Sequence, residues 1–233
     1  MMHKNIRKDL KKLRNVRKHQ YHPLIYKIHK KYGISRKSIF YTKEYGAHSN
    51  IPKTIIRESI KILLLAAIIS SLGGLALENI KIIFISIIPL IIILPALNDM
   101  IGDYGVIISS KFSTMLYTGK IRGKWYRDSN FQKLVVQIGI VAFLITLITA
   151  SVALVISHFS GFLLTSDIIL KIFFITLVDV LLIVFILFVI VVYAGYYFYK
   201  KKEDMNNFLI PIATSIADFG NMLLLAGLII LMF

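Results

Sequence analysis

The chain has 233 residues, of which 57% are hydrophobic, and its 28 lysines and arginines outnumber its 12 aspartates and glutamates. This composition excludes an ordinary soluble domain and indicates a protein that crosses a membrane several times. The absence of cysteine excludes disulfides and thiolate metal sites, so a metal ion would be held by oxygen atoms or by histidine.

The amino-terminal segment, residues 1–57, is strongly basic. Residues 1–61 carry 17 basic and three acidic side chains, and the first 22 lack the apolar core of a signal peptide, so we expect this end to stay in the cytoplasm. The stretch 22–46 predicts a short helical hairpin that turns at Gly33, with Ser35 capping its second helix. The favoured interpretation is a hairpin attracted to the anionic inner leaflet. A helix-turn-helix that binds nucleic acid is the less favoured alternative.

Residues 58–233 contain five segments long enough to cross the hydrocarbon core of a bilayer, which takes about 20 helical residues. The segments are Ile60–Leu77, Ile80–Ser110, Leu134–Ser157, Ile168–Tyr199 and Phe208–Phe233. The second and fourth exceed the thickness of a bilayer, so we expect them to tilt, kink or project beyond the headgroups. The predicted fold is an all-α membrane protein with five transmembrane helices.

The basic residues indicate the orientation of these helices. With the amino terminus inside, the cytoplasmic parts 1–61, 111–133 and 200–207 hold 17, 6 and 3 basic residues, or 26 of the 28. Lys81 and Lys171 then lie outside, which is the asymmetry that the positive-inside rule describes. Five spans place the carboxyl terminus outside, and we predict a multi-pass protein of the cell membrane.

Four carboxylates lie inside the predicted spans, at Asp99, Asp103, Asp179 and Asp218. An ionised carboxylate in lipid costs about 2.5 kcal/mol or more, so such residues normally face a bundle interior or a water-filled cavity. No basic residue lies at a similar depth, and a bound cation therefore explains them better than an ion pair. For Asp179 we favour a structural interpretation, in which a protonated side chain joins helices.

Asp103 and Asp218 stand in similar runs, "IGDYG" and "IADFG". Asp103 precedes the cytoplasmic Lys111 by eight residues and Asp218 follows Asn207 by 11, which places them roughly 12 and 16 Å from the inner face. Because the two helices run in opposite directions, we expect the two carboxylates to meet at a similar depth, as a shared ion site requires.

Oxygen ligands and small residues surround both aspartates. Pro95 and Pro211 lie seven or eight residues earlier, and a proline within a helix frees the carbonyl four residues before it. About one turn before each aspartate, further oxygens come from Asp99, Thr214 and Ser215. Space for a hydrated ion, or close helix contact, comes from Gly102, Gly105, Ala217 and Gly220.

An all-oxygen site of this kind suits a hard cation. Magnesium is commonly held by one or two carboxylates while it keeps several waters, whereas calcium takes six to eight oxygens. The few carboxylates therefore favour hydrated Mg²⁺ as the transported ion, with Mn²⁺, Co²⁺ or Ca²⁺ as alternatives. We predict no catalytic residue and no cofactor, hence a transporter or channel rather than an enzyme.

Two stretches resemble a known family. "PALNDMIGDYGVIISSKFSTMLYTGKI" (Pro95 to Ile121) resembles the first signature of the MgtE-type magnesium transporters and their eukaryotic solute-carrier relatives. "IPIATSIADFGNMLLL" (Ile210 to Leu225) is similar to their last-helix signature, with its proline, threonine, serine and aspartate at matching spacing. The resemblance covers about Glu58 to Phe233.

The resemblance implies a homodimer whose pore lies along the two-fold axis, with Asp218 of each chain binding hydrated magnesium. Asp103 stands where the family typically has asparagine, so this chain is expected to place more negative charge near the ion path. Bacterial members carry a large acidic cytoplasmic sensor domain, and the short basic segment here does not match it, so the sensing mechanism is not carried over.

Two other functions stay open. In a Na⁺- or H⁺-coupled exporter, the same carboxylates would alternate between ions. In a membrane anchor for a nucleic-acid-binding hairpin, Asp103 and Asp218 would have no role, and binding to nucleic acid would weaken with salt.

Overall fold

The computed structural model describes residues 12, 23–32, 39, 51–121, 125–201 and 205–233. These residues are almost entirely helical, and no strand occurs among them. The helices are α1 (Pro23–Tyr32), α2 (Ile51–Asn79), α3 (Lys81–Ser86), α4 (Ile88–Tyr117), α5 (Ser129–Phe159), α6 (Ser166–Lys201) and α7 (Asn206–Met232), with a 3-10 turn at Trp125–Arg127. Five are long and apolar enough to cross a membrane: α4 to α7, and α2 over Ser59–Asn79. The prediction of five spanning helices is confirmed.

The second predicted span is wrong at both ends. The segment from Ile80 was expected to tilt, kink or project, and the chain breaks at Ile87, which has φ −114° and ψ 87°, between the short α3 and the long α4. Pro89 lies in the first turn of α4, where its missing N–H costs no helical hydrogen bond. The helix then continues beyond Ser110 to Tyr117, so the extra length projects from its far end.

Helix α5 begins where its sequence supplies a cap. The Asp128 side chain accepts hydrogen bonds from the backbone N–H groups of Asn130, at 2.9 Å, and Phe131, at 3.2 Å. Such an N-cap satisfies two of the four N–H groups that a helix start leaves without partners. The predicted third span, from Leu134, is therefore extended at its start by about one turn.

Helix α7 is the central helix of the bundle. It packs against α2, α4 and α6, whereas α5 packs against α4 and α6. Helix α2 packs mainly on α7, and the rest of its apolar surface is exposed in the single chain. The first and last spanning helices are thus neighbours, and α4 lies along α7 on another side.

Two glycines bring α2 and α4 close to α7. A Cβ added at Gly105 of α4 would lie 3.2 Å from the Cβ of Ala213, and one at Gly73 of α2 would lie 3.2 Å from the Cα of Phe219 and 2.9 Å from the Sδ of Met222. Small residues permit such approaches between membrane helices. Gly105 was anticipated as a residue that allows close helix contact, whereas Gly73 was not.

The amino-terminal segment is described in part. Helix α1 matches the first half of the expected hairpin, with Ile25 and Ile28 buried. The turn at Gly33, the cap at Ser35 and the second helix lie outside the described residues, apart from the buried, helical Ile39. The division into a basic segment 1–57 and a transmembrane domain 58–233 stays a prediction.

Candidate functional site

Asp218 lies where α2, α4 and α7 meet. Its Oδ1 accepts a hydrogen bond of 2.9 Å from the Asn98 Nδ2 of α4, and its Oδ2 accepts one of 3.1 Å from the Ser70 hydroxyl of α2. The residue is half-buried. Each oxygen thus has one donor and keeps lone pairs for a cation or for its waters.

The Asn98 side chain has one possible orientation in this arrangement. An ionised carboxylate accepts hydrogen bonds and donates none, so Asn98 must turn its NH₂ group towards Asp218. Its carbonyl Oδ1 then faces Asn221 of α7, whose Nδ2 donates to it at 3.0 Å. Asn221 is fully buried, and its own Oδ1 has no partner among the described residues. The donors therefore run in one direction, from Asn221 to Asn98 to Asp218.

Asp99 and Asp103 lie on a different face of α4 from Asn98. Both are exposed in the single chain, and neither forms a hydrogen bond or an ion pair with a described residue. Asn98 bonds to Asp218, and Asp99 directly follows Asn98 in the sequence, so Asp99 lies at about the level of Asp218 along the bundle. Asp103 is five residues beyond Asn98, or about 7.5 Å along the helix. Within one chain, Asp99 therefore lies closer to the level of Asp218 than Asp103 does, and the shared ion site of Asp103 and Asp218 stays a prediction.

The hydroxyls of Thr214 and Ser215 bond within their own helix. Thr214 donates to the carbonyls of Ile210 and Pro211, at 3.1 and 3.2 Å, and Ser215 donates to that of Ile212 at 3.0 Å. Their protons are therefore engaged. Ser215 is buried, whereas Thr214 is half-buried, so the Thr214 oxygen is the better placed of the two to accept from the waters of an ion. Neither residue bonds directly to Asp218.

The predicted prolines and glycines lie in unbroken helices. Pro95 is exposed within α4, and Pro211 is half-buried within α7. Gly102 is buried but leaves open space where a Cβ would lie, whereas a Cβ at Gly220 would come within 3.0 Å of the Ile183 side chain. Gly102 therefore leaves room beside α4, and Gly220 permits the contact between α7 and α6.

Asp179 lies apart from this site, within α6. It is fully buried, and neither of its carboxylate oxygens has a hydrogen-bond partner in the described part of the chain. Burying an unpaired carboxylate is far more costly than burying the neutral acid. The expected role of joining helices requires a partner, and the described residues supply none.

Three residues of the site were not anticipated from the sequence: Ser70, Asn98 and Asn221. Asn221 follows Asp218 by three residues, so both lie on one side of α7. A search for polar residues one turn from an intramembrane aspartate finds Asn221 but not Ser70 or Asn98, which belong to other helices. The described residues contain no cluster of three or more histidines or acidic residues, so one chain offers a single carboxylate here with amide and hydroxyl groups around it.

A carboxylate held by donors from neighbouring helices, in a bundle of five apolar spans, defines a multi-pass membrane protein with a polar site inside its helices. The family model of the MgtE divalent cation transporters matches residues 94–228, which is more than half of the chain.

The chain belongs to this family of divalent cation transporters, which is not a family of enzymes. The match runs from α4 to α7 and includes Asn98, Asp218 and Asn221, whereas α2 with Ser70 precedes it. No curated protein and no solved structure matches the chain.

Replacing Ser70 tests whether α2 supports the carboxylate. We expect Ser70→Ala to lower the free energy of unfolding by about 1 to 3 kcal/mol, since a hydrogen bond to a charged group is lost. Ser71→Ala is the matched control, because the Ser71 hydroxyl is exposed and bonds to the Ala67 carbonyl of its own helix. Thermal unfolding of the purified protein in detergent measures both, and equal effects would contradict the role of Ser70.

Proposed function

We propose that this protein transports Mg²⁺ through a pore on the two-fold axis of a homodimer, with Asp218 of each chain binding the hydrated ion. The observation that carries the proposal is the Asp218 carboxylate, held by Ser70 and Asn98 at a half-buried position within apolar helices. Membership of a divalent cation transporter family supports it.

The composition of the site favours a hydrated ion. Among the described residues, Asp218 is the one carboxylate that lies between the helices here, together with neutral amide and hydroxyl groups, whereas Asp99 is on the exposed face of α4. Such a set is too sparse for a dehydrated Ca²⁺, which takes six to eight oxygens, and suits Mg²⁺, which keeps several waters. A second chain related by a two-fold axis would contribute the same carboxylate, so that two Asp218 side chains balance the charge of one divalent ion.

The exposed face of α4 supports a water-filled path beside the site. Asp99 and Asp103 lie one turn apart on this face and are exposed in the single chain. Carboxylates in contact with lipid are costly, so this face is expected to border water or a second copy of the chain. Facing a pore, both would attract cations along the path to Asp218. Asp103, in the place of the family's asparagine, would add charge about 7.5 Å from the level of Asp218.

The basic residues suggest how the protein lies in the membrane. With the amino terminus in the cytoplasm and the carboxyl terminus outside, 26 of the 28 lysines and arginines lie on the cytoplasmic side. The amino-terminal segment would then face the anionic lipids of the inner leaflet, which attract each nearby basic residue by about 1 kcal/mol. We therefore propose this lipid surface, rather than nucleic acid, as the partner of the segment.

Replacing the carboxylate tests the proposal. We expect Asp218→Asn to abolish Mg²⁺ flux into proteoliposomes that contain the full chain, because the amide keeps the shape of the side chain and removes its charge. Asp167→Asn is the control, since Asp167 is exposed at the start of α6 and pairs with Lys171 at 2.8 Å. Flux at the wild-type rate in Asp218→Asn, with the dimer intact by cross-linking, would contradict the proposal.

Proton coupling is the second candidate function, and the observation that favours it is Asp179. Loss of the proton from a buried carboxyl without a hydrogen-bond partner leaves an unpaired charge in an apolar environment, which is costly. Such a group can therefore couple the gain or loss of a proton to a change in the packing around it. Helix α6 packs against α4, α5 and α7. The ionisable side chains of those helices, none of which bonds to Asp179, are Asp99, Asp103, Tyr104, Lys111, Tyr117, Lys133, His158 and Asp218.

Flux with and without an opposing proton gradient separates the two functions. If protons are coupled to the transport of Mg²⁺, Asp179→Asn should remove the dependence on the gradient, since the amide cannot titrate. If Asp179 is structural, the isosteric amide should leave both the flux and its response to pH unchanged. A wild-type flux that is indifferent to the proton gradient would exclude the proton-coupled exporter.

A further inference from the structure

Asn221 is buried at a position where an apolar residue would be expected. It lies on the stripe of α7 that carries Ala213, Ala217 and Leu225 at spacings of four residues, all fully buried. Its Oδ1 has no partner among the described residues, and burying such an unsatisfied acceptor lowers stability. The hydrogen bond that it does make is the one from its Nδ2 to Asn98. The amide donor is therefore the part of this side chain that has a role beyond filling space.

The donor of Asn221 holds the other end of the Asn98 side chain in the orientation that the Asp218 carboxylate requires. An asparagine amide can rotate by 180° and exchange its NH₂ and carbonyl groups, which have nearly the same shape. With Asn221 donating to its Oδ1, Asn98 must present its NH₂ to Asp218. Without that donor, the Asn98 carbonyl would lose its partner, so the side chain would be held by Asp218 alone and could move away from the carboxylate.

We propose that Asn221 is a positioning residue that acts through Asn98 to orient the Asp218 carboxylate, and so sets the affinity of the transporter for its divalent cation. This inference rests on the proposed function, because it assigns a further residue to the same site. The side chain of Asn221 does not contact the ion. Its effect is to keep a donor against one oxygen of Asp218, which leaves the remaining lone pairs for the hydrated ion.

The variants follow from this chemistry. Asn221→Leu removes the donor and restores the apolar character of the stripe. We expect it to raise the half-saturating Mg²⁺ concentration of flux about fivefold or more, with a smaller change in maximal rate and no loss of thermal stability. Asn221→Ser is the second variant if leucine does not fit. Hydroxyls buried in these helices, such as Thr146 and Ser157, donate to the carbonyl four residues earlier, so a serine here would do the same and would not reach Asn98.

A double-mutant cycle separates positioning from packing. In an Asn98→Ala background the Asn221 donor has no acceptor, so adding Asn221→Leu should leave the half-saturating concentration unchanged. Leu225→Ala is the control at a fully buried position one turn away, and it should lower thermal stability without changing the affinity. An affinity that is unaffected by both Asn221 variants, or an equal effect in both backgrounds, would overturn the inference.

Mg²⁺ flux by the wild-type protein distinguishes a failure of the proposed function from a failure of the positioning role of Asn221. If wild-type proteoliposomes carry no Mg²⁺, the proposed function is wrong. If they carry Mg²⁺ and the Asn221 variants behave as the wild type, the proposed function stands and the positioning role is wrong.

Discussion

The contact on which the candidate site depends is the pair of hydrogen bonds that holds Asp218 between two neighbouring helices. A carboxylate within an apolar bundle is stable only if donors, water or a cation replace the solvent it has lost. Ser70 and Asn98 supply two donors, and the accessible part of the side chain is left for the third partner. In the proposed function that partner is the hydrated cation. The same carboxylate that must be stabilised within the bundle is then the group that binds the ion.

The close packing of the helices makes this contact possible. The hydroxyl of Ser70 and the amide of Asn98 are short side chains, and they reach Asp218 because α2 and α4 approach α7 at Gly73 and Gly105. These glycines and the polar residues lie about one or two turns apart on each helix. The hydrogen bonds to Asp218 therefore depend on the close helix contacts, and a bulky residue at either glycine would move the donors away from the carboxylate.

Much of the fold follows from hydrophobic length, and much of the site does not. The five spans and the importance of Asp218 could be predicted, because apolar runs of bilayer length, and a charged residue within such a run, can be recognised in a single sequence. A kink in the second segment was among the expectations, but its position at Ile87 was not predicted, because an apolar run hides it and Pro89 is its one local signal. Ser70 and Asn98 were missed because their role depends on which helices become neighbours. The level of Asp103 relative to Asp218 also depends on how α4 packs against α7, which one chain's sequence does not give.

The central claim is that a hydrated divalent cation binds at Asp218, and competition by an ion that cannot lose its ligands tests this most directly. Hexaamminecobalt(III) resembles hydrated Mg²⁺ in size and keeps its shell. Uptake of Mg²⁺, Mn²⁺, Co²⁺ and Ca²⁺ into proteoliposomes of the wild-type protein would be measured with and without it. If the hydrated ion binds at Asp218, Mg²⁺ uptake should be saturable and hexaamminecobalt(III) should inhibit it competitively. Mg²⁺ uptake that is indifferent to this ion, or Ca²⁺ uptake without Mg²⁺ uptake, would contradict it.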